Sequence, residues 1–346
     1  MRPEPCIERI DVFDFANTIR TGDDTCFIAV RAVGLTGWYG PIPASVAACI
    51  QTRLQQAAVG RSVHEPRALR EALQQRATDV IVSRGVRSWA IGAIDCAVWD
   101  LRGRLAGTSV AHLLSAESVG TVAAYASWLR LNITDGDAIY QIGRAASDGW
   151  SFTKWGLRAG NFKCAMDLVN AAKLAAAAAG GQAAFDALLT WDIDLMRAFA
   201  RSIDPTVIIW LEDPLAEAAS YPHVASLCLP LAVGEHLLVY DDPIRLLMEV
   251  KPVAFTFDVA ACGGLTRAID LLNLARQAGI SAFPHGRSLN PAIHLAAAYP
   301  DVIPAVEYRL QWEPRRQQIY ADPLIPARGQ IRLPATAGLS VTPAGR

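Results

Sequence analysis

The sequence has little of what disulfide-bonded and zinc-binding proteins need. Its seven cysteines are an odd number, are widely scattered over 346 residues, and include no CxxC pair. Structural zinc sites and small secreted scaffolds depend on closely spaced or evenly paired cysteines. We therefore expect neither a disulfide framework nor a zinc site, and we expect a reducing, cytoplasmic location.

Blocks of one charge sign and long hydrophobic runs are also missing. The 32 basic and 33 acidic residues leave a formal net charge of −1 without a basic block, so nucleic acid and anionic membranes are not expected partners. The longest apolar tract, residues 172–181, is too short and too rich in alanine to span a bilayer. The opening MRPEPCIERIDVFDF carries charges where a signal peptide has an apolar core.

Residues 1–118 are predicted to form a small α+β domain. The chain is 52% hydrophobic and 19% charged, as in well-packed globular proteins, and is long enough for a barrel-sized domain beside a smaller one. IERIDVFDF and CFIAVRAVG alternate apolar and polar residues, which indicates antiparallel strands. Three helical stretches follow, and the last of them, RSWAIGAIDCAVWDLRGRLAG, ends at Gly107.

Residues 119–315 are predicted to form an α/β barrel. Helical stretches alternate there with eight short apolar runs, which are VAAYASW, FTKWGL, AAFDALL, VIIWLED, LPLAVGE, VAFTFD, ISAFPHG and VIPAVEY. Regular alternation of this kind is typical of a (β/α) barrel. Residues 316–346 are rich in proline and glycine, and we expect them to return to the smaller domain.

Ionisable residues recur at or near the ends of seven of these runs. From the second run to the eighth they are Lys154, Asp186, Glu212, Glu235, Asp258, His285 and Glu307. The strands of a barrel meet at one mouth, where active sites lie, so these side chains should face a common cavity.

Three of the acids predict a metal site. Asp186, Glu212 and Glu235 come from neighbouring strands, and three carboxylates in a low dielectric would repel one another strongly. Mg²⁺ prefers oxygen ligands and would resolve this repulsion. Glu212, which ends the run in TVIIWLEDPL, is thus a candidate ligand, and Asp213 shapes the turn or supports the ligand.

The remaining groups predict acid–base chemistry. Asp258 beside His285 would fix the imidazole tautomer and make His285 a general base. Glu307 could donate a hydrogen bond to a substrate oxygen if a raised pKa keeps it protonated.

Several motifs resemble those of the enolase superfamily, within its mandelate racemase-like group. They are AIGAIDCAVWDLRGRLAG, TKWGL, FDALLTWD, WLEDPL, AVGEH, FDVAACGGLTRA and FPHG with a later Glu. The resemblance implies an N-terminal α+β capping domain, a modified TIM barrel (β/α)₇β, and a homo-oligomer, either a dimer or an octamer. It further implies an essential Mg²⁺ held by the three acids named above. Proton abstraction next to the carboxylate of a small-molecule substrate, giving an enediolate, would use the dyad and Glu307.

The subgroup that the sequence resembles is the acid-sugar dehydratases, most nearly the L-rhamnonate dehydratase-like ones. FDALLTWD and GEH, with His236 beside the third acid, carry this likeness. Racemases of the group have a second basic residue where this chain has Gly156. The expected reaction is dehydration of a sugar acid to a 2-keto-3-deoxy acid. Lys154 would neutralise the substrate carboxylate, and His236 is a candidate second acid.

Two alternatives stay open from the sequence. A racemase or epimerase on the same scaffold would use His285 and Lys154, and a metal-free, non-catalytic binding protein would use neither. Specificity is expected to depend on the smaller domain, where residues 20–25 and the stretch around Trp38 and Tyr39 are candidate lids over the substrate.

Overall fold

The N-terminal domain is built on a three-stranded antiparallel sheet. In this computed structural model the described residues are 4–15, 24–78, 82–236 and 243–345. The sheet order follows the chain, with β1 (Arg9–Asp14), β2 (Asp24–Ala32) and β3 (Leu35–Pro43). Two strands were predicted, and the third was not recognised because LTGWYGPIP contains two glycines and two prolines. Trp38 and Tyr39 therefore lie in a buried strand and not in a lid, while residues 20–23 of the other candidate lid fall outside the described ranges.

Helices cover this sheet, as the periodicity predicted. They are α1 (Ala44–Cys49), which continues through a π-helical turn (Ile50–Leu54) into α2 (Gln55–Ala58), then α3 (Pro66–Thr78), α4 (Arg84–Ala106) and α5 (Val110–Leu114). Helix α4 begins at a Ser83 side-chain cap and ends at Gly107, whose φ of 66° is the left-handed conformation that glycine adopts readily. Most of its residues are buried, because it lies between the sheet and the second domain.

The second domain is a parallel barrel, which confirms the predicted fold class. Its strands are β4 (Thr121–Trp128), β5 (Thr153–Gly156), β6 (Ala183–Asp186), β7 (Ile208–Glu212), β8 (Leu231–Val233), β9 (Ala254–Phe257), β10 (Ser281–Pro284) and β11 (Val306–Arg309). Each pairs with its neighbour in the chain from β4 to β10, and β11 pairs with β4. The eight strands thus form a nearly closed ring.

The outer layer of the barrel is helical. Its helices are α6 (Ala138–Ser147), α7 (Ala165–Ala178), α8 (Ile193–Ser202), α9 (Pro243–Val250), α10 (Leu265–Ala278) and α11 (Leu289–Ala298). Between β7 and β8 the chain makes only 3₁₀ turns, at Ala218–His223 and Ala225–Leu227. No helix within the described ranges is long and apolar enough to cross a membrane.

The C-terminal segment contacts both domains. It contains α12 (Glu313–Arg316) and β12 (Gln330–Arg332), which pairs antiparallel with β4 of the barrel. Tyr320 donates its hydroxyl hydrogen to the carbonyl of Gly40 in β3 over 2.7 Å. The amide of Leu339 donates to Asp100 of α4 over 2.6 Å. The segment therefore joins the barrel to the smaller domain along much of its length.

Candidate active site

The interior of the barrel is closed by an aromatic floor. Tyr125, Phe152, Trp210 and Phe283 pack with ring centroids 4.5–6.1 Å apart, mostly edge to face. Alanines fill the positions between these rings on the other strands. A floor of this kind is what the inward-pointing side chains of a small barrel form.

The predicted site residues lie one layer above this floor. Side chains on a strand point to the same side at every second residue, so a residue two positions after a floor residue also points inward. Lys154 follows Phe152 in this way, Glu212 follows Trp210, and His285 follows Phe283. Asp186 and Glu307 follow floor alanines by the same step. Glu235 and Asp258 lie just beyond the ends of β8 and β9.

Lys154 is the centre of one group of contacts. Its Nζ lies 2.8 Å from Glu212 Oε2, 3.0 Å from Glu307 Oε1 and 3.9 Å from Asp186 Oδ2, and the lysine is fully buried. The indole Nε1 of Trp210 also donates to Glu212 Oε2, over 3.1 Å. Three barrel carboxylates thus share one ammonium group.

His285 is the centre of the other group. Its Nε2 lies 3.4 Å from Glu235 Oε1 and 3.5 Å from Glu307 Oε2, while its Nδ1 lies 3.5 Å from Asp258 Oδ2. Glu307 contacts both His285 and Lys154, so it joins the two groups. The structure therefore brings together all seven residues that the strand ends predicted.

The electrostatics of the site differ from the expectation for two residues. Burial alone would raise the pKa of Glu307, but Lys154, His285 and the Gly286 amide hold its pKa well below the usual range. Glu307 is thus ionised in this arrangement, and not the protonated donor that the sequence reasoning required. Burial opposes a charge on His285, but Glu235 and Glu307 outweigh it and raise the pKa of His285 to about 9.

In contrast to Glu307, the acids on β6 and β7 have raised pKa values. Burial raises the pKa of Asp186 to about 6 and that of Glu212 to about 7, and neighbouring carboxylates add to the shift although Lys154 opposes it. Asp213 is also buried, and its pKa is raised to about 7. Its φ of 36° is unusual for a residue other than glycine. The amide of His236 donates to Asp213 Oδ2 over 3.4 Å, so the described contacts place His236 beside Asp213.

The site offers carboxylate oxygens, which are the donor atoms that a hard cation binds. Five carboxyl groups lie around one lysine and one histidine, and the buried Oε1 of Glu212 has no hydrogen-bond partner within the described residues. A divalent cation with oxygen ligands would satisfy both features. Within the same residues, however, no three acidic, histidine or cysteine side chains are grouped closely enough to hold a metal ion. Lys154 and His285 hold these carboxylates instead.

Two polar residues lie beside the dyad, and neither was predicted to do so, since Tyr39 was expected in a lid. Ser288 donates to Asp258 Oδ1 over 2.7 Å, and Tyr39 Oη lies 3.1 Å from Ser288 Oγ. Tyr39 and Ser288 are 249 positions apart, so no local pattern connects them. Only Ser288 could have been singled out from the local sequence, because it lies three residues after His285 in FPHGRS.

Comparison with known proteins finds sugar acid dehydratases among the relatives of this chain. It is 26% identical over 220 residues to L-talarate/galactarate dehydratase of Salmonella typhimurium, a match that covers 62% of this chain and 54% of the relative. It is 26% identical over 313 residues to a putative L-rhamnonate dehydratase of Caldivirga maquilingensis, covering 84% of this chain and 74% of the relative. The structure of a racemase from Streptomyces coelicolor A3(2) with bound magnesium superposes with a TM-score of 0.78 at 22% identity, covering 97% of each chain.

Family models match both domains. The model described as Enolase C-terminal domain-like matches residues 138–346, and that described as Mandelate racemase / muconate lactonizing enzyme, N-terminal domain, matches residues 13–115. The finer boundaries at residues 118 and 315 stay predictions. The chain belongs to the enolase superfamily and, within it, to the mandelate racemase-like group.

Proposed function

We propose that the protein is a Mg²⁺-dependent acid-sugar dehydratase. The observation that carries this proposal is the position of His285, whose imidazole lies between the Asp258 carboxylate on one side and Glu235 and Glu307 on the other. The names of relatives that are dehydratases of sugar acids support the substrate class.

The reaction follows from the groups around His285. His285 takes the proton on the carbon next to the substrate carboxylate. The electron pair of the broken carbon–hydrogen bond forms a double bond between that carbon and the carboxylate carbon, which gives an enediolate. The hydroxyl on the next carbon then leaves as water with a proton from His285 or His236, and the double bond moves to join the second and third carbons of the acid. The resulting enol loses its hydroxyl proton and gains one at the third carbon, which gives a 2-keto-3-deoxy acid. Lys154 neutralises charge on the substrate carboxylate, and Glu307 holds Lys154 and the Gly286 amide in place.

The acids of β6, β7 and β8 are the proposed metal ligands. Asp186, Glu212 and Glu235 would hold Mg²⁺, which supplies positive charge against the carboxylate and the developing enediolate. His285 must be neutral to accept a proton, and Glu235 is one of the two carboxylates that keep it charged. Engaging Glu235 elsewhere therefore favours the neutral base.

A two-base racemase is disfavoured by Gly156. This position, where racemases of the group carry a second base, has no room for a side chain, since a Cβ would collide with the carbonyl oxygen of Leu129. Lys154, the alternative second base, is fully buried among carboxylates that favour its charged form, because Glu212 and Glu307 outweigh the effect of burial and raise its pKa. Dehydration needs a base on one face only.

A substrate panel tests the proposal. Galactarate, L-talarate, D-galactonate and L-rhamnonate, the acids in the names of the relatives, are incubated with the protein with and without Mg²⁺, and 2-keto acid formation is followed. We expect the protein to turn over one of these acids, and only when Mg²⁺ is present. In His285→Asn the rate of turnover should fall by at least about 10³-fold. His64→Asn, an exposed histidine, is the matched control.

The same incubation in D₂O separates the rivals. Exchange of the α-proton without loss of water would favour a racemase or epimerase, and the dehydratase proposal would then be wrong. Absence of both exchange and Mg²⁺ binding, the latter by calorimetry, would favour the non-catalytic alternative.

A further inference from the structure

A chain of hydroxyl groups connects the capping domain to the carboxylate beside His285. Tyr39 Oη lies 3.1 Å from Ser288 Oγ, and Ser288 Oγ donates to Asp258 Oδ1 over 2.7 Å. The other oxygen of that carboxylate, Oδ2, faces His285 Nδ1 at 3.5 Å. All four residues are at most 7% exposed, so solvent cannot easily replace a missing hydroxyl. Oδ1 thus accepts from Ser288 and from the Ala261 amide, whereas Oδ2 faces His285.

The direction of these hydrogen bonds is fixed by charge. Burial would raise the pKa of Asp258, but bonds from His285, Ser288 and the Ala261 amide lower it, so the carboxylate is ionised and only accepts. The single hydroxyl proton of Ser288 is therefore directed to Asp258. Burial keeps the pKa of Tyr39 well above its ordinary value, so Tyr39 remains protonated and donates to Ser288.

We propose that Tyr39 and Ser288 are positioning residues for the base His285. Together with the Ala261 amide, which donates to the same oxygen over 2.8 Å, they hold Oδ1 of Asp258. This fixes the rotation of the carboxylate and leaves Oδ2 to orient the imidazole. Because Tyr39 belongs to β3 and the other three residues to the barrel, the base is aligned only while the capping domain is seated on the barrel. This inference rests on the proposed role of His285 as the base.

The test is a pair of deletions of the hydroxyl groups. In Tyr39→Phe and in Ser288→Ala, kcat for the panel acid that the wild type dehydrates should fall about tenfold. Loss of a side chain that orients a metal-ligating residue lowers activity by about 10- to 100-fold, and we take the lower end for a histidine that is not a ligand. KM should change less than twofold. The primary isotope effect with the α-deuterated acid should rise, because proton transfer becomes slower relative to the other steps.

Two further variants sharpen the result. Ser288→Thr keeps a hydroxyl and should recover most of kcat. The double variant of Tyr39→Phe with Ser288→Ala should be no slower than Ser288→Ala alone, because the tyrosine acts through the serine.

Tyr320→Phe is the matched control. The Tyr320 hydroxyl is also buried and also bonds β3, at the Gly40 carbonyl. Its loss should lower the melting temperature about as much as Tyr39→Phe and Ser288→Ala do, but it should leave kcat and the isotope effect unchanged. If Tyr39→Phe and Ser288→Ala behave like Tyr320→Phe in an active protein that His285→Asn inactivates, the inference is overturned while the proposed function stands.

A crystal structure of Ser288→Ala tests the positioning role without any measurement of activity. If no panel acid is turned over, it is the proposed function that fails. A rotated Asp258 carboxylate with a longer distance to His285 supports the positioning role in either case, and an unchanged carboxylate overturns it.

Discussion

At the scale of single residues, His294 shows how burial selects a protonation state. It is fully buried on α11, and its Nδ1 accepts a hydrogen bond from the amide of Ala111 over 3.2 Å. Burial lowers the pKa of His294 from 6.5 to about 4. As the pH falls, the unfolded chain therefore takes up this proton before the folded protein does. The stability that His294 contributes is complete above its usual pKa and is lost on acidification.

We predict that His294→Asn removes this pH dependence. The asparagine Oδ1 replaces Nδ1 as the acceptor but does not titrate. The free energy of unfolding of the wild type, relative to the variant, should fall by about 3 kcal/mol as the pH drops from above 6.5 to below about 4. Urea unfolding at a series of pH values measures it. His64→Asn should follow the wild-type curve, because His64 is exposed in the folded protein, and a His294→Asn curve parallel to the wild type would contradict the prediction.

The residues of the site were predictable to different extents. The strand-end acids, Lys154 and His285 repeat at the spacing of one strand and helix, and a repeated spacing can be recognised in a single sequence. The state of Glu307 could not be predicted, because its pKa depends on which side chains fill the space around it. The contact of Tyr39 with Ser288 beside the dyad could not be predicted either, since Ser288 belongs to the other domain.

At the scale of elements, contacts of glycine determine how α4 packs. A Cβ on Gly92 would collide with the carbonyl oxygen of Ala260, which lies in the turn after β9, two residues beyond Asp258. On the other side of α4, Gly37 of β3 leaves room for Ala97 and Leu101 in the same way. The glycine in β3 that obscured the strand in the sequence is thus needed for this packing. Strand prediction fails here because tertiary contact overrides propensity.

We predict that Gly92→Ala destabilises the protein by about 2 kcal/mol, because overpacking outweighs the better helix propensity of alanine. Gly143→Ala, in α6, is the matched control, since its Cβ would lie 3.6 Å from the nearest atom, the Ala178 oxygen. That variant should be stabilised by up to about 1 kcal/mol. Chemical denaturation measures both, and equal stability of the two variants would refute the packing argument.

At the scale of the whole molecule, one carboxylate connects the two domains. Asp24, at the start of β2, accepts from Arg287 over 2.8 Å and lies 3.4 Å from Arg316 of α12. The Asp24 side chain is 11% exposed and that of Arg316 12%, so solvent screens this pair only weakly, whereas the Arg287 side chain is 35% exposed. The two-domain arrangement was predictable from the change in sequence rhythm, but these contacts were not, because their partners are more than 260 positions apart.

We predict that Asp24→Asn lowers the free energy of unfolding by about 2 kcal/mol, because two partly buried arginines lose their shared anion. Asp11→Asn is the matched control, since Asp11 also pairs with two arginines, Arg9 and Arg31, but within the sheet of one domain and at greater exposure. Its loss should cost less than about 1 kcal/mol. Urea unfolding compares the two, and equal losses would mean that the position between domains adds nothing.

The hydrogen bond from Tyr39 to Ser288 has a consequence for domain exchange. By the positioning role proposed for Tyr39, a capping domain taken from a relative must supply a hydroxyl at this position, because Asp258 and His285 would otherwise be held less rigidly in the chimera. Chimeras of this barrel should accordingly be designed with that single strand position held constant.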